Sequence, residues 1–214
     1  KIDAARYQAM TAVVRPQTPK APFDYDIVEV AYDNIAGGVK LAGTLTLPRG
    51  QGPHPAVLLV TGSGAQDRDE TIFDHKPFWV IADHLARRGI APLRVDDRGV
   101  GGSTGDLAKS TTDDFVGDAL AGVAFLAAQP RIDARRVGIL GHSEGGLVGP
   151  AAALRSKQVR FVIMLAGPGV SGAELMPRQI GRVLAASGAP RADVDRAVAQ
   201  QREVAKRGLR EVEI

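Results

Sequence analysis

Short apolar runs alternate with amphipathic stretches through the middle of this chain, and the alternation narrows the possible folds more than any other property of the sequence. The run AVLLV at 56–60 is continuous, which is typical of a strand buried on both faces of a sheet. Further runs at 90–95, 136–140 and 159–166 are also predicted strands. Strands separated by helices predict an α/β fold, with a mostly parallel sheet covered by helices on both faces.

The segments between these strands are predicted helices because their apolar residues recur at helical spacing. The first ends at Gly89, and the second begins at Thr111 or Thr112, either of which suits a helix N-cap. A third covers 144–155, where Pro150 predicts a kink. The apolar residues that set the spacing of the first two are Phe78, Ile81, Ala82, Leu85, Phe115, Ala119, Val123 and Leu126.

A β-hairpin is predicted ahead of the first run, with its turn at Gly37-Gly38 and apolar residues on both flanking strands. This hairpin adds an antiparallel edge to the sheet.

The pattern divides the chain into three segments. Residues 1–24 are interpreted as an N-terminal arm or linker, since 1–14 suit a short helix and prolines at 16, 19 and 22 prevent its continuation. Residues 25–170 are predicted to form the α/β core with the first six strands. Residues 171–214 hold two amphipathic helical stretches with no strand behind them, which we interpret as the start of a helical cap.

Composition excludes several classes of site and partner. The chain has no cysteine, so disulfides, thiolate metal sites and a cysteine nucleophile are excluded. No apolar run approaches the roughly 20 residues of a membrane span. The net charge of +3 is spread over interspersed acidic and basic residues, which argues against nucleic-acid binding. We expect no metal, cofactor, nucleic acid or membrane partner; composition leaves both a cytoplasmic and an exported location open.

The strongest chemical signal is the sequence Gly141-His142-Ser143-Glu144-Gly145, directly after a predicted strand and before a predicted helix. A G-x-S-x-G turn in this context is typical of a nucleophile elbow, in which glycines at 141 and 145 let neighbouring backbones approach a strained serine. Ser143 is therefore the candidate nucleophile, and the Glu144 N–H a candidate oxyanion donor. The alternative is an inert strand-to-helix turn.

A second oxyanion donor is expected from the loop TGSGAQDRDE at 61–70. Gly62 and Gly64 leave its backbone free to turn an N–H inward, and the Ser63 N–H is the candidate. The alternative is a flexible surface loop. The charged residues at 67–70 are expected to form local ion pairs that brace the loop rather than a metal site, because their signs alternate.

The segment DDRGVGGSTGD at 96–106 suits a tight loop at the carboxyl edge of the sheet, where ligands bind in open α/β folds. Its glycines match neither the dinucleotide-binding nor the P-loop pattern. We interpret Asp97 and Arg98 as structural rather than catalytic residues.

Taken in order, the motifs TGSGAQDRDE, DDRGVGGSTGD and GHSEGG resemble those of α/β-hydrolases of the bacterial serine esterase type, over about residues 25–170. The resemblance implies hydrolysis of carboxylic esters, often short-chain acyl esters, by a Ser, His and Asp triad, and some members carry an export signal and an additional N-terminal domain. Thr61 stands where many α/β-hydrolases have histidine. The expected oxyanion donor is a main-chain N–H, which does not depend on the side chain at position 61.

The resemblance also implies an acid and then a histidine after the nucleophile, and the chain has no histidine after Ser143. His142 adjoins the serine, but its side chain is expected to point away from the elbow and to pack. We therefore expect the missing C-terminal part of the same protein to supply both groups and a strand beside the sixth. A peptidase, an acyltransferase and a non-catalytic binding protein remain alternatives to the esterase. The partners expected are a small-molecule ester and, as an open possibility, a second subunit in a homo-oligomer.

Overall fold

The computed structural model describes residues 15–212 of the 214-residue chain, with side chains as far as Arg207. The helix expected within residues 1–14 lies outside the described residues. Within the described part, one sheet contains β1 Tyr25–Asn34, β2 Val39–Pro48, β3 His54–Val60, β4 Ala91–Val95, β5 Ile132–His142 and β6 Val162–Leu165. Their order across the sheet is β1-β2-β4-β3-β5-β6.

The sheet is mixed in the way that the sequence predicts. β1 and β2 form an antiparallel hairpin, and β2 lies antiparallel to β4. β4, β3, β5 and β6 run parallel to one another. The prediction of a mostly parallel sheet with an antiparallel N-terminal edge is confirmed. Two strands differ most in length from the apolar runs: β5 extends over 132–142 and β6 only over 162–165. Pairing with neighbouring strands, rather than hydropathy, sets where a strand ends.

The described helices begin and end close to the expected residues. They are α1 Pro77–Ala86, α2 Thr112–Ala127, α3 Gly145–Arg155, α4 Gly172–Ala186 and α5 Arg191–Val212, with a short 3₁₀ helix at Leu107–Lys109. Thr111 is the N-cap of α2, where it and Asp114 bond each other's main-chain N–H in a capping box. α3 contains Pro150, and a kink there remains a prediction. None of the helices described is both long and apolar enough to cross a membrane.

Helices cover both faces of the sheet. Successive residues of a strand point to opposite faces, so Leu58 packs in one buried cluster with Val123 of α2. Val57 and Leu59 pack in another cluster with Phe78 of α1. The expected coverage on both faces is therefore present, and it holds the carboxyl ends of β3, β4 and β5 in fixed relative positions.

The chain divides into two compact units between Gly167 and Pro168. The second unit contains α4 and α5, which approach closely: a Cβ at Gly181 would lie 2.9 Å from Cγ2 of Val198. The interpretation of this helical pair as the start of a cap remains a prediction.

Candidate active site

Ser143 lies at the turn between β5 and α3. Its φ of +52° is in the left-handed region, which is costly for any residue other than glycine. Two main-chain hydrogen bonds hold the turn: the Ser143 N–H donates to the Leu165 carbonyl at 2.9 Å, and the Gly146 N–H donates to the Ser143 carbonyl at 2.9 Å. Strand β6 and the first turn of α3 thus keep Ser143 in a strained conformation.

The glycines on either side of Ser143 are required by close backbone contacts. A Cβ at Gly141 would overlap the main chain of Gly145, and a Cβ at Gly145 would overlap the Val60 carbonyl. The Gly145 N–H also donates to the Thr61 carbonyl at 3.1 Å. The start of α3 is therefore held against the end of β3, where the 61–70 loop begins.

The 61–70 loop lies beside the serine. A Cβ on Gly62 would be 3.2 Å from Cβ of Ser143 and 3.4 Å from Nδ1 of His142. Ser63 and Gly64 are exposed, and Gly64 has a φ of +101°, which favours glycine. The fold therefore brings the first half of this loop to the elbow, although the two segments are far apart in sequence.

Two main-chain N–H groups are free on the segments that flank Ser143. Among the described residues, neither the Ser63 N–H nor the Glu144 N–H donates a hydrogen bond. Glu144 is the N-cap of α3, where N–H groups lack intrahelical partners and the helix dipole is positive. Free donors of this kind are what a developing oxyanion requires, and the assignment of these two to an oxyanion hole remains a prediction.

Glu70 connects the loop to the elbow, a contact that sequence reasoning missed. Its Oε1 accepts the Gly62 N–H at 2.7 Å and lies 2.7 Å from Nδ1 of His142. The His142 side chain is 42% exposed, so it is not packed in the core as expected but hydrogen-bonded at the surface of the elbow. No sequence signal identifies this pair, because its members are 72 residues apart.

Two other charged residues of the loop, Arg68 and Asp69, form ion pairs with partners outside the loop, whereas the Asp67 carboxylate accepts hydrogen bonds from Asp69 and Thr71. Arg68 pairs with Asp96 at 2.7 Å and also with Glu29 of β1. Asp69 pairs with Arg94 of β4, which is buried. The ion pairs are therefore not local as expected: they join the loop to residues of the sheet and of the 96–106 segment.

Asp97 anchors the loop from a second side. Its carboxylate accepts the Thr61 hydroxyl at 2.6 Å and the Gln66 N–H at 3.1 Å. Burial raises the pKa of Asp97 from 3.8 to about 6, against the lowering effect of these two hydrogen bonds. A cavity of about 50 Å³ borders Asp97, Gly62 and Glu144.

The raised pKa of Asp97 predicts a pH-dependent stability. The Asp97 carboxyl keeps its proton to higher pH in the folded protein than in the unfolded chain. Its contribution to the free energy of unfolding is therefore fully present below about pH 4 and is lost as the pH rises through about 6. Because one pKa unit corresponds to about 1.4 kcal/mol, the loss amounts to about 3 kcal/mol at most. Urea unfolding of wild type and Asp97→Asn across this range measures it. As the pH rises from about 4 to above 6, the unfolding free energy of the wild type should fall relative to that of Asp97→Asn. Parallel pH profiles of the two proteins would contradict the prediction.

None of the described histidines forms a hydrogen bond with the Ser143 hydroxyl. His54 starts β3, at the end opposite the elbow, and His84 lies in α1 next to Arg88. His75 pairs with Ile72 in an isolated bridge. His142 has its Nδ1 engaged by Glu70. The site among the described residues therefore has a nucleophile candidate and free N–H donors, and no hydrogen bond from Ser143 Oγ to a histidine.

Comparison with known proteins identifies related sequences. The family model described as X-Pro dipeptidyl-peptidase (S15 family) matches residues 37–211. Esterase EstD of Thermotoga maritima is 40% identical over 140 residues, which cover 65% of this chain and 33% of EstD. The chain therefore spans about a third of the length of that curated relative.

Solved structures share the fold at low sequence identity. The hypothetical protein PA2218 of Pseudomonas aeruginosa superposes with a TM-score of 0.60 at 22% identity, covering 81% of this chain and 58% of that one. The Pyrococcus furiosus esterase PF2001 superposes with a TM-score of 0.58 at 22% identity, covering 86% of this chain and 65% of that one. The shared architecture is the α/β-hydrolase fold, as expected from the strand order and the elbow.

Proposed function

Because the chain belongs to the X-Pro dipeptidyl-peptidase (S15) family and has the α/β-hydrolase fold, we propose that it carries the nucleophile of a serine hydrolase that cleaves carboxylic esters. The observation that supports this most directly is the strained Ser143, held at +52° between β5 and α3 with a glycine loop beside it. A serine in this conformation presents its hydroxyl away from the backbone that surrounds it.

In the proposed reaction, Ser143 Oγ attacks the acyl carbon of the ester while a base accepts its proton. The carbonyl oxygen becomes an oxyanion that receives hydrogen bonds from the N–H groups of Ser63 and Glu144. Collapse of the tetrahedral intermediate expels the alcohol, which takes a proton from the base. Water then attacks the acyl-enzyme by the same route in reverse, releasing the carboxylic acid and restoring the serine.

Esters are proposed as substrates rather than peptides because the relative at 40% identity bears the name esterase. The family description names a peptidase, and the fold and nucleophile alone do not set the substrate. The alternatives to be tested are therefore a peptidase, in which a peptide donates the acyl group, and an acyltransferase, in which a molecule other than water accepts it.

We further propose that polypeptide outside these 214 residues supplies the base and the acid. A serine hydroxyl needs a base to become a strong nucleophile, and none of the described histidines forms a hydrogen bond with the Ser143 hydroxyl. Within the described residues, β6 pairs only with β5, and its Ile163 and Met164 are 43% and 45% exposed. An apolar edge of this kind favours an additional strand, and we assign that place to the polypeptide that brings the base.

The substrate proposal predicts a distinct activity profile for the full-length protein. We expect hydrolysis of p-nitrophenyl esters, fastest with acetyl and butyryl chains, and no release of p-nitroaniline from an X-Pro p-nitroanilide. The same esters should not be cleaved by the 214-residue chain expressed alone. Preferential cleavage of the X-Pro substrate would make the protein a peptidase, and full esterase activity of the isolated chain would place the base among its own residues.

A further inference from the structure

We infer that Glu70 is a positioning residue that holds the 61–70 loop against the nucleophile elbow, and that it acts through Gly62 and His142. The inference rests on the proposed function, because the loop matters to the reaction only if it supplies an oxyanion donor. Glu70 itself touches no reacting group in the proposed mechanism. Its role is to fix where the loop lies relative to Ser143.

A single oxygen of Glu70 forms both contacts. Oε1 accepts the Gly62 N–H at 2.7 Å and lies 2.7 Å from Nδ1 of His142. An ionised carboxylate can only accept, so the ring donates from Nδ1. Gly62 begins the loop, and His142 immediately precedes Ser143. The carboxylate therefore joins one residue of the loop to one residue of the elbow, and His142 in this arrangement has its proton on Nδ1.

Glu70 is buried and has a strained backbone, unlike an ordinary surface carboxylate, and both features cost folding free energy. The residue is only 7% exposed and has a φ of +52°. Burying a carboxylate and holding a non-glycine residue in the left-handed region both cost free energy. The hydrogen bonds to Gly62 and His142 offset that cost, since bonds to an ionised acceptor are stronger than neutral ones.

The contact also decides which N–H of the loop is available to a substrate. The Gly62 N–H is occupied by Glu70. The next N–H along the chain, that of Ser63, has no partner among the described residues. Glu70 thus holds the Thr61–Gly62 peptide unit, one unit before the one that carries the Ser63 N–H, and leaves that N–H free for the oxyanion.

Steady-state kinetics of the full-length protein with p-nitrophenyl acetate test this role. Displacing a donor by about 1 Å can cost about 100-fold in rate, so Glu70→Ala is expected to lower kcat by about that factor with little change in KM. Affinity for an arylboronic acid, which forms a tetrahedral adduct, should fall in parallel. Glu70→Gln keeps an oxygen that can accept both N–H groups, and it should retain kcat within about tenfold of wild type.

Glu29→Gln is the matched control, because Glu29 contacts the same loop through Arg68 but touches neither Gly62 nor His142. It should keep wild-type kinetics. If Glu70→Ala does not fold, His142→Ala is the second variant. It removes the hydrogen bond between Glu70 and the elbow at a half-exposed side chain, and it should also lower kcat and boronate affinity. Wild-type kcat in Glu70→Ala, or a Gln variant as impaired as the Ala variant, would overturn the positioning role. A wild-type protein without ester hydrolysis would instead refute the proposed function on which it rests.

Discussion

Replacing Ser143 with alanine in the full-length protein is expected to abolish ester hydrolysis without unfolding the protein. The hydrogen bonds that hold the elbow use the main-chain N–H and carbonyl of Ser143, not its hydroxyl. Alanine also resembles serine in size and bears the same left-handed φ of +52° at similar cost. Loss of the attacking oxygen should lower kcat by at least about 10⁴-fold, as removal of a serine nucleophile does elsewhere.

Two measurements check the Ser143 prediction. Hydrolysis of p-nitrophenyl acetate gives the rate, and a fluorophosphonate probe followed by peptide mapping identifies the reactive residue. Ser156→Ala, at the other end of α3, is a suitable control serine and should keep both activity and labelling. Labelling at a residue other than Ser143, or near-wild-type activity in the alanine variant, would remove Ser143 from the mechanism.

Substituting valine for Gly62 should produce the second-largest loss of activity. A Cβ at this position would lie 3.2 Å from Cβ of Ser143 and 3.3 Å from Oε1 of Glu70, closer than side chains ordinarily approach. The branched side chain must therefore push the loop away from the elbow and take the Ser63 N–H with it. Loss of one oxyanion donor costs about 10²- to 10³-fold in kcat, and we expect a decrease of that order.

Gly64→Val provides a comparison by a different mechanism. Space is available at Gly64, where the nearest atom to an added Cβ is Nε2 of Gln66 at 3.9 Å, but its φ of +101° is unfavourable for valine. We expect this variant also to lose activity, through a change in the loop backbone. Gly169→Val, in open space and without a positive φ, should be silent. If both loop variants fold and retain wild-type kcat, the oxyanion hole lies elsewhere.

Much of the fold was predictable because the signals for it are local in the sequence. The α2 helix begins where Thr111 and Asp114, three residues apart, cap each other's N–H groups. The hairpin turns at Gly37-Gly38, between two strands that pair along their whole length. The elbow at 141–145 combines the end of a strand, a helix start and two glycines within five residues. Patterns of this kind depend on backbone preferences and side-chain periodicity, which a single sequence contains.

The ends of the strands were less predictable, and the reason is pairing. Residues 159–166 are apolar apart from Arg160, yet only 162–165 form β6, because its pairing with β5 covers only that part. β5 extends beyond its apolar run toward Ile132 because that residue pairs with His54 at the start of β3. Hydropathy identifies a buried segment, whereas the neighbouring strand determines how much of it is hydrogen-bonded.

The sequence by itself determined the identity and order of the elements, the place of Ser143 between a strand and a helix, and the absence of cysteine chemistry. Tertiary structure alone decided which groups meet around that serine. Glu70 and His142 are 72 residues apart, and Thr61 and Asp97 are 36 apart, and both pairs form only because β3 lies between β4 and β5 in the sheet. A carboxylate bonds whichever donors the packed chain brings within about 3 Å, and no local pattern records that choice.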